Sequence, residues 1–186
     1  MKRKNILRKN ILHSREGLSK EYCLEASVLI EKSVENILES ALGKDKANIV
    51  GLYYPIKGEP DLLNLINKID YNIAIPKLWG TKLEFIKYNK SDGFEQSEFG
   101  ELMQPKKNDI VQPNIVVFPG IAFSIVGDRL GFGSGHYDRY FGRVDQEQDI
   151  KKIGVCFHEN LYATLPRESH DIQSNYIVTN KIIISL

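Results

Sequence analysis

The sequence predicts an α/β protein, a mainly parallel sheet covered by helices on both faces. Three observations predict it. Runs rich in β-branched and aromatic residues alternate with segments of 3.6-residue periodicity, the order of strand–helix–strand units. Two of the runs, NIVVFP at 114–119 and KIGVCF at 152–157, are largely apolar rather than alternating, which suits strands buried on both sides. At 186 residues the chain is long enough for one substantial core and is expected to form a single domain over 1–186.

Helical spacing predicts helices over about Arg3 to Ser14 and Lys20 to Leu42, with Gly17 between them and Gly43 ending the second. NIVGLYYP (48–55) reads as a buried strand stopped by its proline, and it feeds a loop. DLLNLINKI (61–69) is a short helix, YNIAIPK (71–77) a strand and KLEFIKY (82–88) an alternating strand. From Asn89 to Gln112 the chain is polar and lacks firm periodicity, and is expected to be a long loop serving a site. After the strand at 114–119, YDRYFGRV (137–144) is a helix, 152–157 a strand, and NYIVTNKIIISL (175–186) one or two closing strands.

Composition removes several functions. The 25 Lys and Arg nearly balance the 24 Asp and Glu, so no global field favours nucleic acid or an anionic membrane. No apolar run approaches the roughly 20 residues that span a bilayer. Cys23 and Cys156 share no metal-ligand spacing and read as reduced thiols, which points to a cytoplasmic protein. The basic, acid-free start, MKRKNILRKNILHSR, has the character of an organelle transit peptide, but it runs straight into a second, capped helix at Leu18 and Ser19.

The chemistry concentrates at 118–141, where a buried strand passes through Gly131, Gly133 and Gly135 into a helix. Such a joint gathers free backbone N–H groups and the positive end of a helix dipole, as phosphate sites do. Arg129 adds a planar cation suited to phosphate oxygens. The segment could equally be a glycine-rich connecting turn, with Asp138 stabilising the helix start. It is neither a Walker loop, since His136 and Tyr137 follow Gly135, nor a dinucleotide fingerprint, since Asp138 stands where a glycine is needed.

PGIAFSIVGDRLGFGSGHYDRY (119–140) resembles the signature of the 5-formyltetrahydrofolate cyclo-ligases, also called methenyltetrahydrofolate synthetases. Lys4 and Arg8 resemble the cation pair on that family's first helix, and spacing by four puts them on one helical face. YYPIKGEPD (53–61), IAIPK (73–77) and LPRESHD (165–171) resemble three further family segments in the same order. Ser124, His136, Gln104 and Asn175 depart from the usual residues, which weakens exact assignments in the folate pocket.

The resemblance implies an α/β/α sandwich similar to sugar-phosphate isomerases and CoA-transferases. It also implies ATP- and Mg²⁺-dependent ring closure of 5-formyltetrahydrofolate to 5,10-methenyltetrahydrofolate, by a monomer. It assigns nucleotide binding to Lys4, Arg8, Arg129, Gly131, Phe132, Gly133, Ser134, Gly135, His136 and Tyr137, with Arg129 and Tyr137 catalytic. Tyr54, Ile56, Glu59, Phe99 and Tyr137 would contact the folate, and Asp138 and Asp171 the Mg²⁺. Each residue has a plainer role open to it: a solvated helix face for Lys4 and Arg8, an exposed loop acid for Glu59, a helix-start or loop residue for the aspartates, and core packing for the aromatics. A non-catalytic nucleotide- or folate-binding protein and a sugar-phosphate isomerase are the alternative functions.

Overall fold

The computed structural model describes residues 2–98, 100, 102–145, 149–169 and 171–186. In chain order the elements begin α1 (Lys2–Glu16), α2 (Lys20–Leu42), β1 (Ile49–Gly51), α3 (Leu65–Lys68), β2 (Asn72–Trp79) and β3 (Lys82–Tyr88). There follow β4 (Phe94–Gln96), β5 (Met103–Pro105), β6 (Ile115–Pro119), β7 (Ala122–Ser124), β8 (Arg129–Leu130) and α4 (His136–Val144). The chain closes with β9 (Lys151–Val155), β10 (Leu161–Tyr162), β11 (Tyr176–Val178) and β12 (Ile183–Ser185).

Among the described residues seven strands form the main sheet, in the order β12-β11-β9-β6-β1-β2-β3. The five inner strands are parallel, and β3 and β12 are antiparallel edges. The parallel sheet follows from strands whose side chains are buried on both faces. Ile115, Val117, Ile153 and Val155 pack with Ala26, Ile30, Val34 and Leu38 of α2, while Val116, Phe118 and Cys156 pack with Tyr140, Phe141 and Val144 of α4. The expected three layers are therefore present. The α2 stripe at spacing four is fully buried, so truncating Ile30 to Ala would cost about 2–5 kcal/mol. Ser19 caps that helix by accepting the Tyr22 N–H, and Gly43 ends it with φ 61°.

Three local expectations change. The 89–112 segment is not all loop: β4 and β5 pair in an antiparallel hairpin, invisible to periodicity because each strand has only three residues. Its anchor is Lys77, whose buried Nζ donates to Pro105 O and Glu95 Oε1, both at 2.8 Å. The helix expected over 61–69 is regular only from Leu65 to Lys68. Finally, α1 extends to Glu16 and belongs to neither layer of the sandwich. Its Ile11 packs with Ile121, Ala122, Leu130 and Leu165, against the small sheet β10-β7-β8.

Candidate active site

From β1 the chain steps to β2 and β3 on one side, then returns to build β6, β9, β11 and β12 on the other. Open α/β sheets leave a crevice at the carboxyl ends of the strands where the order reverses. A cavity of about 1450 Å³ occurs there, walled by Tyr53 and Tyr54 just past β1, Pro119 at the end of β6, and Pro76 and Leu78 of β2.

The glycine loop between β8 and α4 forms one wall. Gly133 (φ 102°) and Gly135 (φ 66°) hold left-handed backbone that a Cβ would strain. Gly135 is the N-cap of α4 and has no side chain with which to cap it, and the first-turn N–H groups of a helix have no acceptor within the helix. Arg129 is fixed beside the loop: its Nε donates to Pro119 O at 2.8 Å, and its guanidinium lies 5.0 Å from the Tyr137 ring centre. Burial pushes the Tyr137 phenol far up, against the pull of Arg129, so it remains a neutral O–H donor. Burial, and next the Arg139 charge, push the His136 imidazole down, favouring its neutral form near pH 7.

One face of α1 forms a second wall. Lys4, Arg8, Ile11 and Arg15 recur at spacings of four, three and four, which is one helical stripe. Lys4 Nζ donates to Asp171 Oδ2 at 2.5 Å and Arg8 Nε to Gly131 O at 2.7 Å. Arg15 Nη2 donates to Gly120 O and Ile121 O. The helix thus touches the late loop, the glycine loop and the end of β6 in turn.

Glu59 forms a third wall and is not an exposed loop acid; it is 7% exposed. Its Oε2 accepts the Ile56 N–H at 3.0 Å. Burial raises its pKa to about 7, against the Ile56 N–H and the charges of Arg15, Arg129 and Lys57. Around neutrality this side chain divides between carboxylate and acid.

Asp138 and Asp171 lie close together, since the N–H of Ile172 reaches Asp138 Oδ1 at 3.4 Å. Asp171 Oδ2 also accepts the Glu168 N–H at 2.7 Å. Two hard carboxylates on adjoining segments fit a Mg²⁺ that keeps several waters and shares phosphate oxygens. Among the described residues no group of three or more His, Cys, Asp or Glu could hold a metal by itself.

Of the residues singled out in the sequence, Lys4, Arg8, Tyr54, Ile56, Glu59, Arg129, Gly131, Phe132, Gly133, Ser134, Gly135, His136, Tyr137, Asp138 and Asp171 all line this cavity. Phe99 lies outside the described residues. Sequence reasoning missed Tyr53, Lys57, Leu102 and Arg139, which also line it, and Arg15 beneath it. Only Arg15 carried a signal, as the next step of the Lys4–Arg8 stripe. Three departures fall outside the cavity lining. Ser124 Oγ receives the Asp128 N–H, Gln104 Oε1 the Leu78 N–H and Asn175 Oδ1 the Lys152 N–H, and none of the three lines the cavity. Cys23 and Cys156 are free thiols, and burial pushes Cys156 up to about 12.

A parallel sheet whose switch-point cleft is walled by a glycine loop, a cationic helix stripe and a buried acid defines an α/β protein with a polar small-molecule site. The comparisons with known proteins make the class particular. The model of the 5-formyltetrahydrofolate cyclo-ligase family matches residues 1–180, and the chain belongs to that family. It is 28% identical over 183 residues to a 5-formyltetrahydrofolate cyclo-ligase of Mycoplasma genitalium, covering 95% of this chain and 98% of that one. It also resembles the solved structure of Aquifex aeolicus 5,10-methenyltetrahydrofolate synthetase, with a TM-score of 0.80 and 31% identity over 98% of this chain and 92% of the other. A 5,10-methenyltetrahydrofolate synthetase from Mycoplasma pneumoniae shares the fold at a TM-score of 0.74 and 24% identity, covering 96% of this chain and 99% of that one.

Proposed function

We propose that this protein closes 5-formyltetrahydrofolate to 5,10-methenyltetrahydrofolate, with ATP and Mg²⁺, as a monomer in the cytoplasm. The observation that supports it is the convergence of α1, the 53–59 segment, the glycine loop and the late loop on one cavity within a chain of this family. The formyl oxygen attacks the γ-phosphorus and ADP departs. The neighbouring amine nitrogen then attacks the formyl carbon and gives up its proton, and the carbon–oxygen bond breaks so that phosphate leaves carrying that proton.

This chemistry asks for positioning and charge neutralisation more than for covalent help. Lys4, Arg8 and Arg129 neutralise phosphate oxygens, and the N–H groups at the start of α4 orient them. Tyr137 donates its O–H to the transferring group. Asp138 and Asp171 would hold Mg²⁺, which supplies charge for the leaving phosphates. Glu59 accepts from the pterin N–H donors beside the half-buried Tyr54 and Ile56. Among the described residues no helix is long and apolar enough to cross a membrane.

Nothing in the family or relatives favours the binding-only or isomerase alternatives. Incubation with 5-formyltetrahydrofolate, ATP and Mg²⁺, following methenyl product and ADP together, tests the proposal. Binding without ADP release, or turnover of a sugar phosphate without ATP, would overturn it.

A further inference from the structure

Arg15 ends the cationic stripe of α1 without reaching the cavity. It is 4% exposed, and only its Nη2 is satisfied, donating to Gly120 O at 2.8 Å and Ile121 O at 2.7 Å. Its Nε and Nη1 are buried with no acceptor among the described residues. A charge enclosed in this way is costly unless an opposite charge offsets the lost hydration. Burial accordingly pushes the Arg15 pKa down, and the charge opposing that most is Glu59. The two side chains share no hydrogen bond, so they act on each other through the field between two buried groups.

The packing places them on either side of one turn. Lys57 (φ 49°) and Gly58 (φ 70°) make the left-handed bend before Glu59, and a Cβ on Gly58 would meet Arg15 Cδ at 3.6 Å. Arg15 therefore runs beneath the turn that carries Glu59. It also completes a set: Arg129 takes the Pro119 carbonyl while Arg15 takes those of Gly120 and Ile121, so two guanidiniums hold three successive carbonyls at the end of β6. The charged and titratable groups facing Glu59 are Arg15 from α1, Lys57 from its own turn, Arg129 from β8, Tyr53 from the segment after β1 and Tyr137 from α4. Arg15 is the most deeply buried of the three cations, so water screens its charge least.

We propose that Arg15 is a positioning residue of this site, whose buried charge beneath the Lys57–Gly58 turn favours the carboxylate form of Glu59 at the cavity wall while its Nη2 ties α1 to the end of β6. Its consequence for catalysis rests on Glu59 facing the folate, but the electrostatic link itself does not. Arg15 would join the helix that neutralises phosphate to the acid that receives the other ligand.

The test follows the Glu59 side-chain carboxyl by ¹³C NMR from about pH 5 to pH 9 in the unliganded protein, with Glu59→Gln identifying the resonance. The wild-type midpoint is expected near 7. Arg15→Met should raise it by roughly one unit, the lower end of what a nearby opposite charge does to a carboxyl. Arg15→Lys, which keeps the charge, should return it towards wild type. If Arg15→Met does not fold, Arg15→Gln removes the charge while retaining a donor for the carbonyls. An unmoved midpoint in a folded neutral variant, or an Arg15→Lys midpoint as high as the neutral one, overturns the proposal. Folate titration of the same variants separates the two assignments. A shifted midpoint that folate affinity fails to follow leaves Arg15 in its role and removes Glu59 from the folate site.

Discussion

Lys4 Nζ stands 2.5 Å from Asp171 Oδ2, with both side chains largely buried, so the first cation of the α1 stripe and the acid of the late loop neutralise one another. Glu168 Oε2, at 3.5 Å, is a second partner for Lys4. Nucleotide phosphates would compete for the cation, and Mg²⁺ for the acid. Asp171→Asn keeps an oxygen ligand but loses the charge that attracts a hard cation. Turnover measured against Mg²⁺ at saturating ATP should move to higher Mg²⁺, while folate binding changes little. An unshifted curve would return Asp171 to a purely structural role.

Lys4→Met should lower ATP affinity by about tenfold to a hundredfold, the range of a lost hydrogen bond to a charged group. Folate affinity measured without nucleotide should hold. Calorimetric titration with each ligand separately distinguishes this from a general loosening of α1, which would weaken both.

At Gly133 a Cβ would lie 3.4 Å from Arg8 Cζ, on backbone with φ 102°. Gly133→Val should therefore cost stability as well as block backbone approach to phosphate, the strain being on the order of 1–3 kcal/mol. Nucleotide affinity should nevertheless fall much further than the melting temperature explains. Wild-type affinity in the folded variant would remove the loop from the nucleotide site.

Glu59 should make both stability and binding depend on pH. Its folded pKa of about 7 lies above its ordinary value of 4.5, so between those values the native state binds more protons than the unfolded state. Stability from this group is thus full below about 4.5 and is lost as pH rises through about 7. The cost above that is on the order of 3 kcal/mol. Glu59→Gln should consequently gain more in melting temperature, relative to wild type, at pH 8 than at pH 5. At pH 8 the variant should also lose about tenfold to a hundredfold in folate affinity with ATP affinity unchanged. Equal losses for both ligands would put Glu59 in the wrong half of the site.

Lys77 holds the hairpin beside Leu102, a residue of the cavity wall. Lys77→Met would leave the buried Pro105 carbonyl without its donor, at a cost of about 1–3 kcal/mol. Thermal melts should register this, and the folate KM should rise more than that for ATP. A variant with wild-type melting and KM would show that the hairpin is held by other contacts.

Much of this architecture was legible because its signals are local. The apolar 114–119 run declared a strand buried on both faces, and the three alternating glycines declared a backbone able to bend towards an anion. The β4–β5 hairpin was not legible, for its strands are too short to show a period and its register depends on Lys77 reaching in from β2. Likewise, Ser124, Gln104 and Asn175 looked like changes to the pocket until their backbone partners appeared.

By itself the sequence determined the layered α/β class, the glycine loop and the helical face shared by Lys4 and Arg8, since each depends on spacing within a few residues. Tertiary structure alone decided that Lys4 meets Asp171, that Glu59 is buried, and that Arg15 lies beneath the turn that carries it. Those facts depend on burial and on fields between segments far apart in the chain, and local pattern carries no information about either.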